Sequence, residues 1–88
     1  MRYDVKLSNQ ASKALKKIDI HQASIIISWI EKNLSNCSNP RLYGKALIGN
    51  KRGFWRYRVG AYRIIADIQD DIITIEIINV SHRSKAYQ

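Results

Sequence analysis

A single cysteine, Cys37, in a chain of 88 residues excludes an internal disulfide and fits a reducing compartment. Only His21 and His82 could accompany it, too few for a thiolate metal site or a cysteine–histidine nucleophile to be expected. No uninterrupted apolar stretch runs beyond a few residues, far short of the roughly 20 that a membrane span needs, and no secretory segment opens the chain. A cytoplasmic protein with no membrane partner is therefore expected. Proline occurs once and glycine four times, and neither an internal repeat nor a low-complexity tract is present. Acidic residues are scarce. Seven Asp+Glu face fifteen Lys+Arg, leaving a net charge of +8. A field of that sign attracts polyanions or an acidic protein partner, with nucleic acid the first to consider.

What is present is enough for one folded unit. The chain is 45% hydrophobic and 25% charged, which argues against disorder, and a chain this short supports one core, so residues 1–88 are read as a single domain. Residues 3–7 alternate Tyr3, Val5 and Leu7 against Asp4 and Lys6, the period of a half-buried strand. Ser8 or Asn9 can cap a helix carrying Ala11, Ala14, Leu15 and Ile18 on one side, and Asp19 restarts a second helix. Its stripe is Ala23, Ile26, Ile27, Ile30 and Leu34, widened by Ile25 and Trp29. Residues 35–53, rich in Asn, Ser and Gly, read as one large loop. The period then drops to two over residues 54–59, 62–69 and 72–80, separated by Gly60-Ala61 and Asp70-Asp71, an antiparallel meander. The expected fold is α+β in the order β-α-α-β-β-β, a helical hairpin on one face of an antiparallel-rich sheet.

A two-residue turn at Gly60-Ala61 sets the register: Val59 opposite Tyr62, Arg58 opposite Arg63, Arg56 opposite Ile65. Trp55, Tyr57 and Val59 then share the core face with Tyr62, Ile64, Ala66 and Ile68, leaving Arg56, Arg58, Arg63 and Asp67 on the other. Two arginines face each other directly, an arrangement that costs a fraction of ~0.2–1 kcal/mol and is understandable if an anion lies between them. A phosphodiester fits forked guanidinium groups. The same face would also serve solubility or bind acidic residues of a partner.

RNA is cleaved without metal or cofactor when its own 2′-OH attacks the adjacent phosphorus, given a base, cations for the oxyanions and an acid for the 5′ oxygen. Arg56, Arg58 and Arg63 suit the cationic role. His82, Arg83 and Tyr87 follow the last strand, and a tail folded over the open face would bring His82 toward the arginines as the near-neutral group and Tyr87 as proton donor or stacking platform. Trp29, Trp55 and Tyr57 are expected in the core, His21 as an ordinary surface residue, and Tyr43 and Tyr62 stay unassigned. Lys13, Lys16, Lys17, Lys45 and Lys51 with Arg41 and Arg52 make a basic surface able to ride on ribosomal RNA phosphates.

The segments Gly44-Lys45-Ala46-Leu47, the run from Gly53 through Trp55-Arg56-Tyr57-Arg58-Val59-Gly60-Ala61-Tyr62-Arg63 to Ile65, and Ser81-His82-Arg83-Ser84-Lys85-Ala86-Tyr87 together resemble the RelE/ParE toxin superfamily. The pattern W-R-Y-R-V-G-x-Y-R followed by H-R-x-x-x-Y is more similar to the RelE branch. The resemblance implies a type II toxin that cleaves mRNA in the ribosomal A site. Arg56 and Arg58 fall on the paired basic positions, which are lysines in some members, Arg63 on the arginine after the turn, Tyr87 on the C-terminal tyrosine, and His82 and Arg83 on a variable basic cluster. It implies as partners an acidic, RelB-like antitoxin, the ribosome and mRNA, and operator DNA only through the antitoxin complex. The alternatives are a ParE-like DNA gyrase inhibitor and a non-catalytic RNA-binding or co-repressor protein.

Overall fold

The computed structural model describes residues 1–47 and 53–84. Its strands are β1 (Asp4–Leu7), β2 (Lys45–Ala46), β3 (Trp55–Val59), β4 (Tyr62–Gln69) and β5 (Thr74–His82), and its helices α1 (Asn9–Lys17) and α2 (Ile20–Asn33). One mixed sheet runs in the order β1-β5-β4-β3-β2, with β1 parallel to β5 and the other pairs antiparallel. The expected helical hairpin on an antiparallel-rich sheet is what forms, with two differences. The loop over residues 35–53 contributes β2, and Asp70–Ile72 is a 3-10 turn that delays β5 to Thr74, with Ile73 in the left-handed region at φ 50°. Among the described residues no helix is long and apolar enough to cross a membrane.

Both helices begin where their caps dictate. The Ser8 side chain accepts from the Ala11 amide at 3.0 Å, and Asp19 accepts from the amides of His21 and Gln22 at 3.1 and 3.3 Å. Ala11 and Leu15 of α1, with Ala23, Ile26, Ile30 and Leu34 at the α2 end, bury against Tyr57, Val59, Ile64, Ala66, Ile75, Ile77 and Val80 of the sheet. Ile25 and Ile27, expected on the apolar stripe, stay exposed, while Ala23, Ile26 and Ile30 form the buried face of α2.

Ser8 does more than cap. Its amide donates to the Ile77 carbonyl at 2.9 Å and its hydroxyl to the Ile78 carbonyl at 2.7 Å. Ile78 is the extra residue of a β-bulge: Asn79 faces Ile65 while Ile77 faces Ala66. Ser8 therefore ties the start of α1 to the bulge. Ser8→Ala is expected to lower stability by about 1–2 kcal/mol, read as an earlier urea midpoint with unchanged slope.

Residues 35–44 are pinned to the sheet by side chains. The buried Tyr57 hydroxyl donates to the Pro40 carbonyl at 2.5 Å, and Trp55 Nε1 donates to the Tyr43 carbonyl at 2.7 Å. Arg41 forks onto Asp70 at 2.9 and 3.2 Å, and the Tyr3 hydroxyl donates to the same carboxylate at 2.6 Å. Arg41 first and Tyr3 second hold the Asp70 carboxyl below its usual range. Burial pushes the Tyr57 phenol above its own. Above about pH 10 the unfolded chain therefore ionises this tyrosine while the native chain keeps its proton. The raised native value gives stability that is complete below that pH and lost as pH rises. Tyrosinate absorbance of the native protein should show Tyr57 silent until the alkaline unfolding step, and Tyr57→Phe should shrink that step.

Candidate active site

The β3–β4 hairpin places the cations. Gly60 sits at φ 59°, with Ala61 outside the left-handed region, which is the turn type that matches the twist of paired strands. The register is the expected one, with Val59 opposite Tyr62, Arg58 opposite Arg63 and Arg56 opposite Ile65. Lys45 of β2 pairs with Arg56, and Ser81 of β5 flanks Arg63 on its other side. Lys45, Arg56, Arg58 and Arg63 therefore share the sheet face that the helices leave uncovered. Arg58 and Lys45 are exposed and Arg56 is half-buried. Arg63 is only 8% exposed, so its guanidinium stem is held in place before any anion arrives. Asp67 lies on the same face toward the far end of β4, where Gln69 Nε2 donates to Asp67 at 3.0 Å and to Glu76 at 3.4 Å. The uncovered face thus has a cationic end near the hairpin turn and an acidic end away from it.

His82 is not with the arginines. It pairs with Tyr62, whose other neighbour is the core residue Val59, and the two rings meet edge-on at 5.3 Å. Its groove is lined by Ala14, Lys17, Ile18 and Asp19, on the helix side of the sheet. The bulge is the cause. Unbroken alternation from Ile75 and Ile77 would have left His82 on the arginine face, but the extra Ile78 moves Val80 and His82 to the helix side and Ser81 beside Arg63. The expectation that a folded tail carries this imidazole over the arginines is corrected accordingly: residue 82 is still strand, and its Nδ1 lies 2.8 Å from the Ser84 hydroxyl.

Arg83 is exposed and anchored at the hairpin end, its amide donating to the Ala61 carbonyl at 2.7 Å. Lys13 and Lys17 flank Asn79 along the β5 edge, and Lys16 is exposed on the same helix. Lys51, Arg52 and Tyr87 lie outside the described residues. Trp29 and Trp55, expected in the core, pack against it while only partly buried. Tyr43 is 41% exposed, and its ring meets that of Trp29 edge-on at 5.8 Å. With Gly44, Lys45, Arg56 and Arg58 they line a groove of about 340 Å³ at the outer edge of β3. Its sequence signal was Tyr43 next to Gly44-Lys45, too short to separate from an ordinary loop.

A helical hairpin under a sheet with a cationic hairpin defines a small, basic α+β domain. Residues 5–87 match the family model described as ParE toxin of type II toxin-antitoxin system, parDE. The chain belongs to that family, within the RelE/ParE superfamily of type II toxin–antitoxin toxins. It is 29% identical over 98% of its length to Toxin RelE of Mycobacterium tuberculosis, spanning 87% of that protein. It is similar to the toxin in the RelBE2 toxin–antitoxin complex of the same organism, with a TM-score of 0.83, 28% identity, and coverage of 94% of this chain and 100% of that one. The toxin of the RelB–RelE complex from Methanococcus jannaschii is 30% identical at a TM-score of 0.63, covering 92% of this chain and 93% of that one.

Proposed function

We propose that this chain is a metal-independent endoribonuclease that cuts mRNA in the ribosomal A site and so arrests translation. The observation that carries the reading is the direct pairing of Arg58 with the buried Arg63, next to the Lys45–Arg56 pair, on a face no helix covers. Like charges opposite each other are a cost to the sheet that a bound phosphate removes. In this mechanism the 2′-OH loses its proton and attacks the adjacent phosphorus, closing a 2′,3′-cyclic phosphate as the P–O5′ bond breaks and the 5′ oxygen takes up a proton, while Arg56, Arg58 and Arg63 neutralise the crowded oxyanions. Guanidinium groups stay charged, so they stabilise the transition state rather than exchange protons. His82 faces the helices, so we assign proton transfer to Tyr87, with Arg83 adding charge at the hairpin end. Lys13, Lys16, Lys17, Lys45, Lys51 and Arg52 would hold ribosomal RNA phosphates.

The +8 charge suits an acidic, RelB-like antitoxin as the inhibitory partner, and the similar toxins solved in complexes with RelB antitoxins support one. Operator DNA would be reached through that complex, in the cytoplasm. The ParE name of the matching family favours one rival, inhibition of DNA gyrase. A pair of assays separates them: the purified chain should stop protein synthesis in a cell-free translation reaction and leave gyrase supercoiling untouched. Blocked supercoiling with normal synthesis would replace the nuclease by the gyrase reading.

A further inference from the structure

The groove beside the arginine face has an aromatic wall, Trp29 and Tyr43, that the cleavage chemistry does not use. β2 stops at Lys45 opposite Arg56, so among the described residues the outer edge of β3 beyond Arg56 carries no neighbouring strand. The chain turns away there through Gly44 at φ 78°, leaving Tyr43 and Trp29 on one side of the opening and Lys45, Arg56 and Arg58 on the other. Trp29 is fixed by its contacts with Tyr57 at 5.5 Å and Tyr43 at 5.8 Å, and the Tyr43 backbone is fixed by Trp55. The aromatic wall is therefore set in advance, and 41% of Tyr43 remains open to an incoming ring.

From this arrangement we infer that the groove is a nucleotide subsite, which takes one unpaired base of the RNA against Tyr43 and Trp29 while Arg56 and Arg58 hold its phosphate. The inference rests on the cleavage reading for the identity of the RNA as mRNA and adds where a base flanking the cut is read. Single-stranded nucleic acid is held by this combination, π-faces for bases and guanidinium groups for the backbone. An acidic peptide could use the cations but has less use for an edge-on pair of rings. Arg56 and Arg58 belong both to the groove and to the cationic face, so the subsite adjoins the phosphate seat.

The test uses the two tryptophans, one in the groove wall and one bonded to Tyr43, as reporters. A 5′-phosphorylated single-stranded RNA trinucleotide should quench their fluorescence saturably in the full-length protein. Tyr43→Ala should weaken that binding about 5- to 100-fold with an unchanged melting temperature, and Tyr43→Phe should retain it. On programmed ribosomes, Tyr43→Ala should alter the base distribution around the cut. Saturable binding by a chain that does not cut would remove the cleavage reading and uphold the subsite. Equal trinucleotide affinity in wild type and Tyr43→Ala, or quenching by a polyglutamate peptide and not by RNA, would overturn the subsite whatever the cleavage assay gives.

Discussion

Arg63→Ala is expected to lower ribosome-dependent cleavage by about 10²–10³-fold, the loss usual for one preorganised donor to a developing oxyanion. Three features single this arginine out. It is only 8% exposed, it lies between Arg58 and Ser81 in the ladder, and it is the second residue of the strand that the hairpin turn opens. A side chain held so tightly needs little reorganisation when the phosphate arrives, and preorganisation is what makes such a group effective. Because Arg63 is buried, its removal also touches packing, so Arg58 supplies the control. Arg58 is exposed, and Arg58→Thr should lower cleavage while leaving the melting temperature equal or slightly higher, since a like-charge cross-strand pair is worth a fraction of ~0.2–1 kcal/mol against folding. Loss of cleavage that tracks loss of stability in both variants would reassign the arginines to structure.

The second large effect belongs to Gly44. At φ 78° any side chain is strained, and a Cβ there would run into the Arg56 carbonyl oxygen, which is backbone and cannot swing aside. Gly44→Ala is expected to cost about 1–3 kcal/mol or more and to lift β2 from β3, taking Lys45 away from Arg56. Urea unfolding would report the stability change, and faster amide exchange confined to residues 45–46 and 55–56 would report the detached edge. A stability loss without local exchange at β2 would mean that the strain is relieved elsewhere.

Much of this arrangement is legible in the sequence because local rules act without competition in the hairpin. Gly60-Ala61 fixes the turn, alternation fixes the faces, and together they put Arg58 opposite Arg63. Asp19 announces the second helix for the same local reason, as Ser8 or Asn9 announces the first, where Ser8 is the cap that forms. What escapes is set by distant contacts. Nothing in Ile77-Ile78-Asn79 announces a bulge, since its extra carbonyl is satisfied by Ser8 from the far end of the chain, yet that one residue decides which face His82 joins. The parallel pairing of β1 with β5, and the two-residue β2 anchored through Tyr43 and Pro40, likewise depend on partners many residues away. The groove at Trp29 and Tyr43 escapes for that reason: its aromatic wall joins a helix and a loop that meet only in the fold, opposite a cationic wall from β2 and β3.

The most direct test of the cationic hairpin as a nuclease site is primer extension on mRNA incubated with the purified chain, with and without programmed ribosomes. Cuts at the A site that need ribosomes, and that vanish with Arg63→Ala, are the expected result. An mRNA left intact on ribosomes by a folded wild-type chain would contradict it.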